Sequence, residues 1–160
     1  MALEIVPAYD REDHIKNLFA EYTDMLIKTD PLFARYLAIQ GYDDEIRDLD
    51  KKYGLPCGRL YLALWDGKPA GCIALRRLSD ENCEMKRLYV RPQFQGRGIG
   101  FALTEKLIEE ARKIGYSHMF LDTVPALADA VRLYKKIGFY ETGCYNDSPV
   151  ETTIFMEYDL

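Results

Sequence analysis

Cysteine and histidine are scarce. Four cysteines (Cys57, Cys72, Cys83 and Cys144) and two histidines occur in 160 residues, and no cysteine pair has C-x-x-C spacing. That rules against the common zinc frameworks, so no metal is expected. Three of the four thiols lie in strand-like apolar runs, where buried free cysteine is the ordinary reading. Basic charge is not in excess: 21 Lys and Arg face 26 Asp and Glu, a net charge of −5, which argues against nucleic acid as the main partner. Apolar runs long enough for a membrane span are absent, so no membrane partner is expected. Met1-Ala2-Leu3-Glu4-Ile5-Val6 is followed at once by Pro7 and charges rather than by a signal-peptide core. Together with the free thiols this predicts a reducing, cytoplasmic setting. Repeats, low-complexity tracts and linkers are also lacking. The expectation is one domain over residues 1–160, long enough to bury a full core.

What is present reads as alternating elements. Leu3 to Ala8 predicts a first strand, and Asp10 a helix cap. Ile15, Leu18, Phe19, Tyr22, Met25 and Leu26 repeat at three and four, the pattern of an amphipathic helix that Asp30-Pro31 stops. A further helical turn or two follows over Leu32 to Leu37, and Asp43 to Tyr53 predicts another short helix ended by Gly54. From Gly58 the pattern changes. Arg59–Trp65, Ala70–Leu78 and Cys83–Val90 read as a three-strand meander with hairpin turns at Asp66-Gly67 and Ser79–Asn82. A helix follows with Ile99, Leu103, Leu107, Ala111 and Ile114 on one face, then a strand over His118–Thr123. A helix over Ala126–Ile137 and two closing strands, Phe139–Tyr145 and Thr152–Tyr158, complete the chain. The order is β-α-α-β-β-β-α-β-α-β-β, which predicts an α/β fold with one mixed sheet covered by helices.

The stretch between the third meander strand and its helix carries the chemistry. Pro92 cannot donate to a sheet ladder and ends the strand. Gly96, Gly98 and Gly100 then allow a tight turn that presents bare N–H groups beside a helix N-terminus, an arrangement that binds anions and phosphates above all. Charge agrees locally: Glu84 is the one acid against Lys86, Arg87, Arg91 and Arg97 between residues 84 and 97. The spacing is neither the dinucleotide fingerprint, because Phe101 stands where a third glycine would fall, nor a Walker loop.

Gln95-x-x-Gly98-x-Gly100 after Arg91-Pro92 resembles the acyl-CoA signature of the GNAT superfamily of N-acetyltransferases. Leu133-Tyr134-Lys135-Lys136-Ile137-Gly138-Phe139 resembles that family's Leu-Tyr-x-x-x-Gly-Phe segment, and the order of elements is similar over the whole chain. The resemblance implies the acyl-CoA N-acyltransferase fold and acetyl-CoA as cosubstrate. Its pyrophosphate would lie on the backbone of Gln95, Gly96, Arg97, Gly98, Ile99 and Gly100, and its pantetheine arm along Leu88, Tyr89 and Val90. It also implies transfer to a small-molecule or peptide amine, in an assembly for which a homodimer is one family option. One position departs from the family: Leu127 stands where many members carry Asn, so that contact would be lost or would fall to Thr123 or Asp129.

An amine arrives protonated and must lose a proton before attack. Glu84, eleven residues before Gln95 on the strand feeding the site, is the candidate base; the alternative is a strand-edge acid paired with Lys86 or Arg87. Tyr134 is the candidate acid for the leaving thiolate, by the same resemblance; the alternative is a core tyrosine on the inward stripe of its helix. Arg97 stands between a phosphate contact and a solvated side chain. His14 and His118 read as structural or surface residues, and Cys83 lacks the partners of a nucleophile. Arg76-Arg77 and Lys86-Arg87 place paired cations on neighbouring strands, and strand alternation sends one of each pair to each face. A set lining the site would select an acceptor with a carboxylate or phosphate; the alternative is cross-strand pairing with Glu81 or Glu84.

Overall fold

A computed structural model describes residues 2–160. Seven strands form one mixed sheet in the order β1-β2-β3-β4-β5-β7-β6. The first four are β1 (Leu3–Pro7), β2 (Arg59–Trp65), β3 (Lys68–Arg77) and β4 (Asn82–Val90); β5 (His118–Thr123), β6 (Tyr140–Glu141) and β7 (Ile154–Asp159) complete it. All neighbours are antiparallel except β4 and β5, whose parallel ladder contains only Asn82–His118, Cys83–Met119 and Glu84–Phe120. Beyond Glu84 and Phe120 the two strands separate, and the cleft between them is where the functional residues gather.

One sheet face carries α5 (Ile99–Ile114) and α6 (Ala128–Ile137). Ile99, Leu103, Leu107 and Ala111 pack there on Ile73, Leu75, Met85, Met119 and Leu121, all buried. The predicted apolar stripe of α5 is thus the buried one, save that Ile114 is half-buried at its end. Gly115, at φ 108°, closes α5; its N–H donates to the Ala111 carbonyl at 3.2 Å, as does that of Tyr116, a terminus that needs the left-handed conformation glycine supplies.

The other face carries α1 (Glu12–Thr29), α2 (Leu32–Ile39), α3 (Tyr42–Arg47) and α4 (Leu49–Tyr53). Ile15, Leu18 and Phe19 of α1 join Leu49, Tyr53, Leu60, Leu62 and Cys72 in a second buried cluster. The single helix expected over Asp43–Tyr53 is two, because Asp48 leaves helical geometry and its carboxylate caps α4 by accepting from the Lys51 N–H at 3.3 Å. Asp10 does not cap α1: Arg11 holds that position without a side-chain cap. The strand expected over Phe139–Tyr145 pairs only at Tyr140–Glu141. From Gly143 the chain leaves the sheet, and the side chains of Tyr145 and Asn146 turn into the cleft instead.

Strand alternation fails at one place that matters. In β3–β4 the register runs Ala74–Lys86 and then Cys72–Tyr89, so two residues of β4 face Ile73 alone. Arg87 sits at this bulge with φ 61°, a conformation costly for a side chain other than glycine. The bulge turns Lys86 and Arg87 to the same face, that of α1–α4, and corrects the expectation that one would point each way. Arg76 and Arg77 do divide: Arg76 reaches Glu84 and Arg77 reaches Asp80.

Candidate active site

Two adjoining cavities occupy the cleft. The larger, ≈ 560 Å³, runs from Leu88, Tyr89 and Val90 along the glycine turn (Gln95, Gly96, Gly98, Ile99 and Gly100) to Leu133 of α6. The smaller, ≈ 40 Å³, lies under α1 and α2 and is walled by Leu26, Phe33, Tyr36, Gln40, Lys86, Arg87 and Asp122. Tyr22, Leu88, Asp122, Thr123, Leu127 and Tyr134 line both, so they mark the junction.

The turn is built for an anion. Gly96 and Gly98 adopt φ 78° and 77°, and a Cβ added at either would meet nothing within 4 Å, so conformation and not space requires glycine. The first turn-closing bond of α5 is Ala102 N–H to Gly98 carbonyl at 3.0 Å, which leaves the N–H groups ahead of it without intrahelical partners. Gln95 Nε2 donates to the Val90 carbonyl at 3.1 Å and ties the turn to the strand end. Arg97 alone of the expected cofactor contacts lies off the cavity wall; its guanidinium covers the Trp65 ring at 5.0 Å. An apolar wall of Met25, Leu88, Val90 and Leu133 lies beside this turn.

At the junction Tyr134 is buried, and burial raises its phenol well above the ordinary value, so it is a neutral hydrogen-bond donor. Thr123 Oγ1 is buried with no hydrogen-bond partner among the described residues. Of the two residues that could replace the missing Asn contact, Thr123 is thus free, whereas Asp129 is exposed and paired with Arg132. Leu127 is half-buried and apolar at the mouth.

Glu84 is deeply buried but lines neither cavity. Its Oε1 accepts from Arg76 Nε at 2.6 Å, with Lys86 Nζ at 3.9 Å, and its Oε2 accepts from the Tyr145 hydroxyl at 2.6 Å. Burial alone would raise this carboxyl, but Lys86, Arg76 and the Tyr145 hydrogen bond outweigh it and hold it below its ordinary value. The carboxylate that lines both cavities is Asp122. Its Oδ2 accepts from the Tyr36 hydroxyl and from Asn146 Nδ2, while Oδ1 accepts no hydrogen bond among the described residues. Sequence reasoning passed over Asp122, Gln40, Tyr145 and Asn146. For Asp122 a signal existed: it alternates with apolar Met119 and Leu121 on a strand that meets the site. Tyr145 and Asn146 had none, since they reach Glu84 and Asp122 across 61 and 24 residues.

The thiols play no part in this arrangement. Cys83 is fully buried against the α5 face, and burial pushes its thiol up to about 12. Cys57 and Cys144 are exposed. Among the described residues no helix is long and apolar enough to cross a membrane.

Sequence comparisons show the family, and a solved structure shares the fold. The model of the acetyltransferase (GNAT) family matches residues 18–139. An uncharacterized N-acetyltransferase of Schizosaccharomyces pombe is 37% identical over 150 residues, covering 92% of this chain and 88% of its own. The N-acetylaspartate synthetase of Danio rerio is 31% identical over 121 residues, 69% of this chain and 43% of that protein. A Salmonella typhimurium structure solved with acetyl-CoA superposes with a TM-score of 0.67 over 99% of this chain and 94% of that one, at 21% identity, a likeness of fold.

Proposed function

The chain belongs to the GNAT acetyltransferase family, and from that premise we propose that it moves an acetyl group from acetyl-CoA to a primary amine by direct attack in a ternary complex. The seven-stranded sheet that runs through the chain supports reading residues 1–160 as one catalytic domain. The observation that carries the reading is the junction itself: a neutral phenol, Tyr134, and a carboxylate, Asp122, share one cleft that opens onto the glycine turn.

Bound acetyl-CoA supplies a thioester as acetyl donor. Gln95, Gly96, Gly98, Ile99 and Gly100 hold its phosphates through backbone N–H groups, and Leu88, Tyr89 and Val90 guide the arm toward the junction. Asp122 Oδ1 takes a proton from the ammonium acceptor, directly or through water, which frees the nitrogen lone pair for the carbonyl carbon. As the new C–N bond forms and the C–S bond breaks, Tyr134 donates its hydroxyl hydrogen bond to the departing sulfur, and the second proton that the nitrogen loses passes through water to that sulfur, which leaves as the thiol. With a phenol raised by burial, hydrogen bonding and not full proton transfer is its contribution. Thr123 Oγ1 stands ready as a further donor at the same junction. Glu84, the base expected from the sequence, takes a supporting part: it fixes Arg76, Lys86 and Tyr145 around the pocket. Buried Cys83 supports transfer without a covalent enzyme intermediate.

The test is a comparison of Asp122→Asn with Glu84→Gln in an assay of thiol release. Loss of general-base action at Asp122 should lower kcat about 100-fold or more while acetyl-CoA still binds. If Asp122→Asn keeps wild-type kcat and Glu84→Gln alone abolishes it, the base assignment returns to Glu84.

A further inference from the structure

Lys86 and Arg87 line the smaller cavity, and the ion-pair network behind them holds more cations than carboxylates. Lys52, Arg76, Lys86 and Arg87 meet only two carboxylates, Glu45 and Glu84. Glu45 is occupied by Arg87 at 2.9 Å and Lys52 at 2.6 Å, and Glu84 by Arg76 at 2.6 Å. Lys86 is left with the weakest partner, Glu84 at 3.9 Å, although its side chain is only 7% exposed. Its one close hydrogen bond goes to Gln40 Oε1 at 2.8 Å, a neutral acceptor that Arg87 shares at the same distance. An ammonium has three donors. Burial pulls Lys86 down to about 8, with Glu84 working against that and Arg87 adding to it, so near neutrality most of it stays charged inside the pocket.

Position completes the picture. Lys86 and Asp122 each lie two residues past the last parallel pair, Glu84–Phe120, on the opposite arms of the separating strands. Both line the smaller cavity, with the cation on β4 and the anion on β5, beside Thr123 and Tyr134. One cleft therefore presents an anion where an amine must be deprotonated and an under-neutralised cation across from it. Counting Asp122 still leaves one positive charge in excess, four cations against three carboxylates.

Resting on the acetyl-transfer reading above, we propose that the acceptor is a small amino-carboxylate, an amino acid or short ω-amino acid, whose carboxylate is bound by Lys86 while its amine faces Asp122. A carboxylate supplies the missing negative charge and accepts the donors of Lys86 that protein groups leave open. The apolar lid of Leu26, Phe33 and Leu37 closes the cavity from the α1–α2 side, which suits a small acceptor better than an extended chain.

The experiment measures thiol release and acetylated product with free acetyl-CoA, using amino acids and short ω-amino acids beside their carboxamides, compared at equal concentrations of neutral amine. Wild type should favour the carboxylates by ~10- to 100-fold in kcat/KM, and Lys86→Met should collapse that ratio toward one while acetyl-CoA binding, measured by calorimetry, is retained. Acetylation of carboxamides as fast as carboxylates by the wild type overturns the acceptor inference and leaves acetyl transfer standing. A ratio that Lys86→Met leaves unchanged overturns the assignment to Lys86. Binding of acetyl-CoA without acetylation of any compound in either set overturns the acetyl-transfer reading, and the acceptor inference with it. The wild-type ratio needs no variant to fold.

Discussion

Replacing Glu45 with Gln removes the carboxylate that neutralises Arg87, the residue at the bulge on which the pocket wall depends. Arg87 Nε and Nη2 donate to the two oxygens of Glu45 at 3.0 and 2.9 Å, both side chains being nearly inaccessible. Burial alone would raise the Glu45 carboxyl, but Arg87 and then Lys52 outweigh it and bring it from its ordinary 4.5 down to about 2. At ~1.36 kcal/mol per tenfold change in proton affinity, that amounts to about 3 kcal/mol of stability, in line with the cost of breaking a buried pair. Because the folded-state value is depressed, the contribution is complete well above pH 4.5 and is lost as pH falls toward 2. Thermal and urea unfolding of wild type and Glu45→Gln should therefore differ by about 3 kcal/mol at pH 7, equivalent to roughly 6–12 °C in Tm for a chain of this size. The gap should narrow to about 1.5 kcal/mol by pH 3. A gap under about 1 kcal/mol at pH 7, or one that does not shrink with acid, would refute the view that this pair holds the bulge.

Three other perturbations probe the cleft and its supports separately. Tyr134→Phe should lower kcat by roughly 10- to 100-fold with little change in acetyl-CoA affinity; unchanged turnover would remove Tyr134 from the chemistry. Gly98→Ala should cost about 1–2 kcal/mol and weaken acetyl-CoA binding because its φ is 77°, whereas Gly100→Ala places a methyl only 3.4 Å from the flexible Leu133 Cδ2 and should be tolerated. Calorimetric binding of both variants checks this, and equal losses would contradict it. Tyr145→Phe removes the 2.6 Å hydrogen bond to Glu84 and should cost about 1–3 kcal/mol in urea unfolding; a neutral result would show that the 142–153 segment does not fasten onto the site.

Local chemistry made the outer frame legible. Hairpin turns, apolar stripes and the glycine turn each announce themselves within a few residues, and the order of elements along the chain follows from them. The failures come where distant groups decide. Alternation could not anticipate a bulge at Arg87, because the left-handed backbone there is held by Glu45 and Gln40, 42 and 47 residues away. The same non-local logic goes with the early end of the penultimate strand: Tyr145 lies in the expected strand, yet its hydroxyl binds Glu84. Glu84 attracted attention by its place before the motif. Asp122 stands on the cleft wall only because β4 and β5 part after Phe120, a separation no spacing reveals.

Everything proposed for the cleft between β4 and β5 depends on transfer of an acetyl group from acetyl-CoA to an amine held there. Thiol release and the acetylated amine can be followed in the same reaction with the wild-type protein, the amine by mass spectrometry. One acetylated amine should appear for each thiol released, with both falling together in Asp122→Asn. Thiol release that continues with no acetylated amine, or acetyl-CoA binding with neither product, would contradict the reaction.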